Sequence, residues 1–511
     1  MIEVFSVLLC IVAFSMFAYG QASVARQQKF PWLLPTVLLV MAAPLFRWVF
    51  GWGFGAMSFW ETLAGMLRDV AVGLLVSALV ALLKKGSVKL FLVPGILLIV
   101  AYIIVTLAGK TIDFAKSKLS GAGTGAQTEW LVELGPDDDV SEIAPILERH
   151  GAVAVRAFAN VDLTEDEDLA QFFVVTVRES AAETMKKELL ADVENVDYLE
   201  ANAAMGLFEP IASGRTRSWT SAAIEPNDPR AHEQWALKAS GESDAFARLN
   251  GAKPKKRAKV AILDTGVDAA HEDLAGVFGK SPGDSDRHGH GTHCAGIAGA
   301  ATHNGKGVAS LNWGGKFIEI RGYSALDNNG GGSLETIAQA IIDAAEDKAD
   351  VLSLSLGGFS PNPPRVLVKA VEYARKLNAI VVVAAGNSND DASRYSPANV
   401  PGVITVAASD PEDQKAEFSN VTSNLKMAVT APGVDILSLK TGGDYVSYSG
   451  TSMATPMVAG VLGVMRALNP DIDARAGYNI LRSTGRAPVG TALIGPIVNA
   501  DAAIAAVAKN R

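Results

Sequence analysis

The chain has 511 residues, of which 49% are hydrophobic and 19% charged, and its formal net charge is −9. This length predicts more than one domain, and the high apolar content excludes an intrinsically disordered chain. The acidic balance provides no basic footprint for nucleic acid, so no nucleic-acid partner is expected. The two cysteines, Cys10 and Cys294, are too few for a disulfide framework and cannot form a structural zinc site by themselves.

The first 119 residues concentrate the apolar side chains. Residues 4–25 and 90–109 carry no charge, and each is long enough to cross a hydrocarbon core of roughly 30 Å as a helix. Two weaker stretches lie between them, residues 30–46 with three prolines and residues 70–83, which alone are too short. We predict about four transmembrane helices within residues 1–119, which makes a lipid membrane an expected partner. A cleaved signal peptide is the alternative for the first stretch, although that stretch lacks a basic start and a clear cleavage site.

Charge next to the predicted spans gives the orientation only a slight bias. The two faces carry five basic residues each, but those between spans 1 and 2 and between spans 3 and 4 are compact and free of acids. This favours cytoplasmic loops there, and both termini of a four-span protein then lie outside. The part that follows residue 119 is therefore expected on the extracytoplasmic side of a multi-pass membrane protein.

A Gly-rich linker over residues 120–128 precedes an acidic module over residues 129–208. Residues 129–200 of this module contain 19 acidic and 5 basic side chains, a surplus that a solvated surface would explain. Its patterns predict a β-α-β-β-α-β order, which is the ferredoxin-like arrangement. The predicted elements are strands over 129–134, 152–158, 172–178 and 196–200, and helices over 139–150 and 181–191.

After a second linker over residues 209–225, the domain over residues 226–511 shows strand and helix patterns that alternate. Short apolar runs of this kind are typical of buried parallel strands, and helices between them cover both faces of the sheet. We therefore predict an α/β domain with a parallel sheet. The predicted strands are Val260–Leu263, Phe317–Ile320, Val351–Leu354, Ile380–Val383 and Val403–Val406, and the predicted helices are Leu334–Glu346, Pro364–Leu377 and Met457–Leu468.

Three motifs at the ends of these elements supply the parts of a nucleophilic relay. Asp264 ends the first strand, His290 begins a helix of small residues, and Ser452 lies in a turn before the last predicted helix. A carboxylate, an imidazole and a hydroxyl can act together when the histidine takes the serine proton and the carboxylate stabilises the imidazolium. Asn387 follows a buried strand and could supply the hydrogen bond that a developing oxyanion needs.

The motifs Asp-Thr-Gly-Val-Asp, His-Gly-Thr-His-Cys-Ala-Gly, Ala-Ala-Gly-Asn and Gly-Thr-Ser-Met-Ala-Thr-Pro occur in this order. The chain thereby resembles the subtilisin family (subtilases) over about residues 226–505, and the Asp, His, Ser order is that of subtilisin. The resemblance implies a serine endopeptidase that acts on polypeptides. It also implies catalytic roles for Asp264, His290, Ser452 and Asn387, and substrate-binding strands at Ser355, Leu356 and Gly357 and at Gly330, Gly331 and Gly332.

Other interpretations of these residues are weaker. Among the three histidines of the motif, the family pattern selects His290, leaves His293 as a packed core residue and leaves His288 at the surface. A zinc site on the three rings fails because their spacing does not bring them to one helical face. An esterase is disfavoured because the Gly-x-Ser-x-Gly elbow is missing. A membrane sensor or binding protein with an inactive protease domain remains the main alternative, and a transporter is a weaker one.

The resemblance also implies two accessory features. Asp228, Asp273 and Asn304 correspond to calcium ligands of the thermitase-like branch, so the resemblance implies a structural calcium ion, although Lys306 near the site weakens the case. The acidic module resembles the inhibitory prodomain of the family, whose C-terminal tail lies in the cleft. We predict self-cleavage after Phe208, with residues 209–225 as a loop that withdraws the new N-terminus.

Overall fold

The computed structural model describes residues 126–213, 216–218, 224–490 and 492–509. The predicted transmembrane helices and most of the first linker lie outside the described residues. The described residues from Gln127 onwards belong to one structural unit.

The acidic module forms a four-stranded antiparallel sheet with strand order β2-β3-β1-β4 and helices between the strands. This order and the β-α-β-β-α-β connection match the ferredoxin-like prediction. Asp139 caps the first helix through the backbone N–H of Ser141, and Glu142 completes the capping box. The elements are β1 (Gln127–Leu134), α1 (Val140–His150), β2 (Val153–Arg156), the short α2 (Glu167–Ala170), β3 (Phe172–Arg178), α3 (Glu179–Ala191) and β4 (Val196–Ala201).

Two short strands follow β4 along the chain, namely β5 (Ala204–Leu207) and β6 (Ile211–Ser213). A third short strand, β9 (Gly331–Ser333), lies in the domain over residues 226–511. The main sheet has six parallel strands in the order β15-β14-β12-β10-β7-β8. The strand order reverses at β7, and ligands of open α/β sheets bind beyond the carboxyl ends of the strands at such a point. The six strands are β7 (Ala258–Asp264), β8 (Ile318–Ser324), β10 (Val351–Leu354), β12 (Ile380–Ala384), β14 (Ile404–Ser409) and β15 (Ala428–Pro432).

Helices cover both faces of this sheet, and each face has its own hydrophobic cluster. The remaining strands form two small antiparallel sheets at the rim. The helices are α4 (Trp235–Ala239), α5 (Glu242–Gly251), α6 (His290–Gly299), α7 (Leu334–Glu346), α8 (Arg365–Lys376), α9 (Thr451–Leu468), α10 (Ala474–Thr484) and α11 (Ala500–Lys509). The rim strands not yet given are β11 (Leu356–Phe359), β13 (Tyr395–Ser396), β16 (Ile436–Lys440) and β17 (Asp444–Ser449).

The long helix α9 is the central helix of the fold. Every one of its 18 residues is buried, and within the described part of the chain it is the one helix long and apolar enough to cross a membrane. The sequence predicts a helix that starts at Met457, whereas α9 begins six residues earlier, at Thr451. Pro456 cannot donate to the carbonyl of Ser452, and that carbonyl accepts instead from the Ser355 hydroxyl at 3.0 Å.

Two other expectations need correction. The strand β15 was not predicted, because its Ala-Val-Thr-Ala-Pro sequence is short and ends in proline. The loop expected over residues 209–225 contains the strand β6, whose residues Ile211–Ser213 pair antiparallel with the end of β17. An extended backbone with free N–H and C=O groups satisfies them by joining this sheet edge.

Candidate active site

Asp264 and His290 form a buried pair at the carboxyl end of β7. Asp264 is the last residue of this strand, and His290 is the first residue of α6. The imidazole Nδ1 lies 2.8 and 2.9 Å from the two carboxylate oxygens, and both side chains are at most 1% exposed. Gly291, the next residue, lets the helix approach the strand, since a Cβ there would lie 2.1 Å from the carbonyl oxygen of Gly266.

Asp286, which sequence analysis did not single out, connects the strand end to the histidine helix. Its Oδ1 accepts from the Thr265 hydroxyl and from the backbone N–H groups of His288 and Gly289, at 2.8–3.0 Å. Its Oδ2 accepts from the backbone and the hydroxyl of Thr292. Five hydrogen bonds to one buried carboxylate therefore fix where α6 starts relative to Asp264. The only signal in the sequence is an acidic residue four positions before the histidine.

The three histidines of the motif have different environments. Burial disfavours the imidazolium form of His290, but the adjacent Asp264 carboxylate outweighs it and holds the pKa of His290 well above its ordinary value. Burial lowers the pKa of His293 to about 3, so that ring is neutral, and its Nε2 lies 3.0 Å from the carbonyl oxygen of Val446. His288 is exposed. These environments agree with the core and surface placements expected for His293 and His288.

Cys294 packs against the same pair, with its sulfur 3.9 Å from Nδ1 of His290 and 3.4 Å from the carbonyl oxygen of Ser452. The potential ligand atoms of Asp264, His290 and Cys294 lie within 4.8 Å of one another. Burial raises the pKa of the thiol, whereas a metal would need the thiolate. The Nδ1 of His290 is also engaged with the carboxylate, so this arrangement favours an acid–imidazole pair over a metal centre.

Ser452 lies in the first turn of α9 beside this pair. Its hydroxyl is 3.3 Å from the carbonyl oxygen of Ser355 and 3.5 Å from that of Phe208. The Nε2 of His290 is buried and has no hydrogen-bond partner within the described ranges. The structure thus brings serine, histidine and aspartate to one site, and the serine hydroxyl points towards the chain segment in the cleft rather than towards the imidazole.

The side chain of Asn387 faces the same carbonyl from the other side. Its Nδ2 donates to the carbonyl oxygen of Phe208 at 3.2 Å. Its Oδ1 accepts from the backbone N–H and the hydroxyl of Thr451, at 2.9 and 2.8 Å. Thr451 thereby orients the amide so that its NH₂ group faces the cleft. Sequence analysis missed this role of Thr451, although the residue directly precedes the candidate nucleophile.

The segment before Phe208 lies between two strands of the second part of the chain. Residues Ala204–Leu207 form β5, which pairs antiparallel with β11 on one side and with β9 on the other. The expected binding strands are shifted by one residue, because β11 begins after Ser355 and β9 begins after Gly330. The carbonyl of Gly330 nevertheless accepts from the Leu207 N–H at 3.0 Å. This is binding by strand addition.

The Phe208 ring occupies a pocket between two glycines and a tyrosine. A Cβ on Gly357 would lie 2.7 Å from the ring, and one on Gly386 would lie 3.4 Å from it. Tyr395 contacts the ring edge-on with the centroids 6.4 Å apart. Gly386 was visible in the Ala-Ala-Gly-Asn motif, whereas Tyr395 lies in the short strand β13 and carries no sequence signal.

The chain continues through the cleft on the far side of Phe208. Ser213, Ala212 and Ile211 pair with Ser447, Tyr448 and Ser449, the last residues before the turn that carries the serine. Strand pairing on both sides therefore fixes the Phe208–Glu209 peptide bond next to Ser452 and Asn387.

The acidic module also contacts helix α8 through several carboxylates. Glu133, only 2% exposed, pairs with the guanidinium of Arg365, and Glu200 accepts from the first backbone N–H groups of α8. Further along the helix, Lys369 pairs with Asp168 at 2.5 Å and Lys376 with Asp166 at 2.7 Å. Part of the acidic surplus is therefore interfacial, and the solvated surface expected from the sequence does not account for these four side chains.

Apolar side chains of the module join the same contact. Leu131, Phe158 and Phe172 belong to one cluster with residues of α7 and α8, and all three are fully buried. The interface therefore combines a hydrophobic centre with charged pairs along α8.

The three expected calcium ligands lie in one region but do not form a ready oxygen cage. Asp228 accepts from the backbone N–H groups of His303 and Asn304. Asp273 accepts from the Val308 N–H at 2.9 Å, from the Tyr445 hydroxyl at 3.0 Å and from the amide nitrogen of Asn304. Hydrogen-bond donors thus occupy the positions that Ca²⁺, which binds oxygen ligands, would take. Burial raises the pKa of Asp228, and the nearby Asp273 adds to this effect.

The chain is similar to several known proteins. The sequence profile described as "Subtilase family" matches residues 255–491. The chain is 45% identical to thermitase of Thermoactinomyces vulgaris over 215 residues, 41% of this chain and 74% of that protein. It is 32% identical to an alkaline protease of Shouchella clausii over 397 residues, 76% of this chain and 94% of that protein. Among solved structures, fervidolysin of Fervidobacterium pennivorans is similar with a TM-score of 0.61 and 25% identity, over 74% of this chain and 61% of that chain.

Proposed function

Because the chain belongs to the subtilase family of serine proteases, we propose that Asp264, His290 and Ser452 are its catalytic triad and that Asn387 binds the oxyanion. The observation that carries this proposal is the position of the Phe208 carbonyl. Its oxygen lies 3.2 Å from the Asn387 amide nitrogen and 3.5 Å from the Ser452 hydroxyl. A peptide group held between a nucleophile and an amide donor has the arrangement that acyl transfer requires.

In the proposed reaction, the Ser452 hydroxyl attacks the carbonyl carbon while Nε2 of His290 takes the hydroxyl proton. Asp264 holds Nδ1 and stabilises the imidazolium that forms. The unpartnered Nε2 is the ring nitrogen available for this proton, so the hydroxyl has to turn to it from the carbonyl oxygens. The negative charge develops on the carbonyl oxygen beside Asn387. Collapse of the intermediate releases the amine, which takes the proton from His290, and water then hydrolyses the acyl-enzyme.

We further propose that the module over residues 129–208 inhibits the enzyme and is cut from it after Phe208. The module contributes the β5 segment that fills the substrate strands, and its carboxylates bind the amino end and one side of α8. A substrate peptide would compete for the same edges of β9 and β11. Large apolar residues that fit between Gly357, Gly386 and Tyr395 are the preferred residues before the cut.

Two other parts of the proposal concern the surroundings of the enzyme. Residues 1–119 would anchor it in a membrane, with the protease on the extracytoplasmic side, and an alkaline phosphatase fusion after residue 125 tests that side. Subtilases such as thermitase commonly bind calcium. The hydrogen bonds on Asp228 and Asp273 argue against a calcium ion held by Asp228, Asp273 and Asn304, and no step of the mechanism needs one.

Active-site labelling separates a working enzyme from a protease-like binding protein. After processing, a fluorophosphonate should label the wild-type chain, and it should label Ser483→Ala equally, since Ser483 lies exposed on α10. The Ser452→Ala chain should show no label and no peptide hydrolysis. Equal labelling of the Ser452→Ala chain would contradict the assignment.

A further inference from the structure

A cavity of about 790 Å³ lies at the opposite edge of the main sheet from the catalytic residues. Its lining includes Val403 and Met427, which precede β14 and β15, so the cavity lies at the amino ends of these strands. Asp264, in contrast, is at the carboxyl end of β7. The last turn of α8, the loop between β13 and β14, and one face of α10 complete the walls.

Four cationic side chains converge on this cavity, and together they define a cationic pocket: Arg375, Lys426, Arg475 and Arg482. Arg475 and Arg482 are seven residues apart on α10, so they project from the same helix face. All four residues are exposed. No ion pair or side-chain hydrogen bond of these four is found in the part of the chain that the structure describes.

The pocket also has no acidic side chain among its described lining residues. Two of the lining residues, Asn424 and Ser393, donate to the carboxylate of Asp391. Gly402, with a φ of +93°, packs directly against Arg375, and a Cβ there would lie 2.5 Å from its guanidinium nitrogen. A side chain at this position would push Arg375 away from the pocket.

This arrangement is unusual for a chain with a net charge of −9. Other cations in the same region have partners, since Arg486 pairs with Asp413 at 2.6 Å and Arg466 pairs with Asp350 at 3.0 Å. Like charges repel each other, and salt screens that repulsion over a Debye length of about 8–10 Å. A bound anion would turn that repulsion into attraction.

We propose that the cationic pocket binds a phosphate-bearing small molecule with at least two negative charges. The planar fork of arginine matches phosphate oxygens bidentately, and three of the four cations are arginines. The cavity volume falls within the range of roughly 300–1,000 Å³ that small-molecule sites occupy. Tyr478 and Met427 in the wall provide apolar surface for the organic part of such a ligand.

Calorimetric titration of the full chain tests this proposal, with Ser452→Ala as a common background that prevents self-digestion. The probes are pyrophosphate, short-chain phosphatidylglycerol and citrate. The Arg475→Gln/Arg482→Gln double variant removes two pocket charges at exposed helix positions. Lys316→Gln removes one exposed charge elsewhere and serves as the control.

We expect pyrophosphate to bind, to lose at least tenfold in affinity in the double variant, and to bind unchanged to the Lys316→Gln chain. Binding of phosphatidylglycerol but not of pyrophosphate, lost in the same variant, would contradict a ligand with at least two negative charges, because that phosphodiester headgroup carries only one. Binding of neither phosphate probe, equal binding to the double variant, or an equal affinity for citrate would overturn the proposal. None of these results depends on proteolytic activity.

Discussion

The amide nitrogen of Asn387 donates to the carbonyl oxygen of Phe208 at 3.2 Å. Thr451 fixes the other end of this amide through two hydrogen bonds, so the donor is in place before any charge develops. Donors that are oriented in advance stabilise a developing oxyanion most effectively.

Replacing Asn387 with alanine should therefore lower kcat for a peptide substrate by about 10²–10³-fold, with a much smaller effect on KM. Asn479→Ala, at an exposed position of α10, is the matched control and should retain wild-type turnover. Steady-state kinetics on the processed enzymes measure both constants. A loss that falls on KM alone would show that Asn387 binds the ground state rather than the oxyanion.

The pKa of His290 predicts the pH dependence of activity. A general base works only when it is unprotonated, and the Asp264 carboxylate outweighs burial and holds the pKa of His290 well above 6.5. Activity should therefore rise with pH, and the rising limb should lie above pH 6.5. Asp264→Asn removes the cause of the shift, so that variant should have a lower kcat and a limb displaced towards acid. A wild-type limb at or below pH 6.5 would contradict this account.

The ion pair of Glu133 with Arg365 predicts how the module stays docked. In the Arg365→Gln chain, the Glu133 carboxylate, whose side chain is only 2% exposed, loses its cation. This loss should weaken docking of the module by about 1–3 kcal/mol, and no more than that because Arg365 is itself partly solvated. The lag before the full chain hydrolyses peptides should shorten. Arg156→Gln, an exposed module residue, should leave the lag unchanged. An equal lag in the wild-type, Arg365→Gln and Arg156→Gln chains would show that this contact with α8 does not hold the module in place.

Hydrogen bonding around Asp273 predicts stability without calcium. Tyr445→Phe removes the hydroxyl from which Asp273 accepts at 3.0 Å, and a loss of about 1 kcal/mol would lower the unfolding temperature of a domain of this size by about 1–2 °C. Chelation of calcium should not change the unfolding temperature of the wild-type chain. Calorimetry with and without chelator measures both effects, and a large stabilisation by calcium alone would show that the ion displaces these donors.

Much of this fold was predictable because its buried strands are apolar runs. The runs that begin at Val260, Val351 and Ile380 correspond to the central strands, and the helix Leu334–Glu346 has the predicted bounds. The start of α9 was not predictable, since the effect of Pro456 depends on the hydroxyl of Ser355, which lies between β10 and β11 and is distant in sequence.

The residues of the candidate site were predictable from the sequence, but the direction of the serine hydroxyl was not. Motifs identified the serine, the histidine and the aspartate. They could not reveal that the serine hydroxyl faces the Phe208 carbonyl instead of His290, because that depends on a segment more than 200 residues away in sequence. The cationic pocket was equally hidden, since Arg375, Lys426 and Arg475 come from three separate elements that only the folded chain brings together.

The central claim is that the chain cuts its own Phe208–Glu209 bond with Ser452. N-terminal sequencing of the catalytic fragment tests it most directly, with the wild-type, Ser452→Ala and Ser483→Ala chains treated alike. We predict a fragment that begins at Glu209 from the wild-type and Ser483→Ala chains and no such fragment from the Ser452→Ala chain. A wild-type fragment that begins far from Glu209, or the same fragment from the Ser452→Ala chain, would contradict the account.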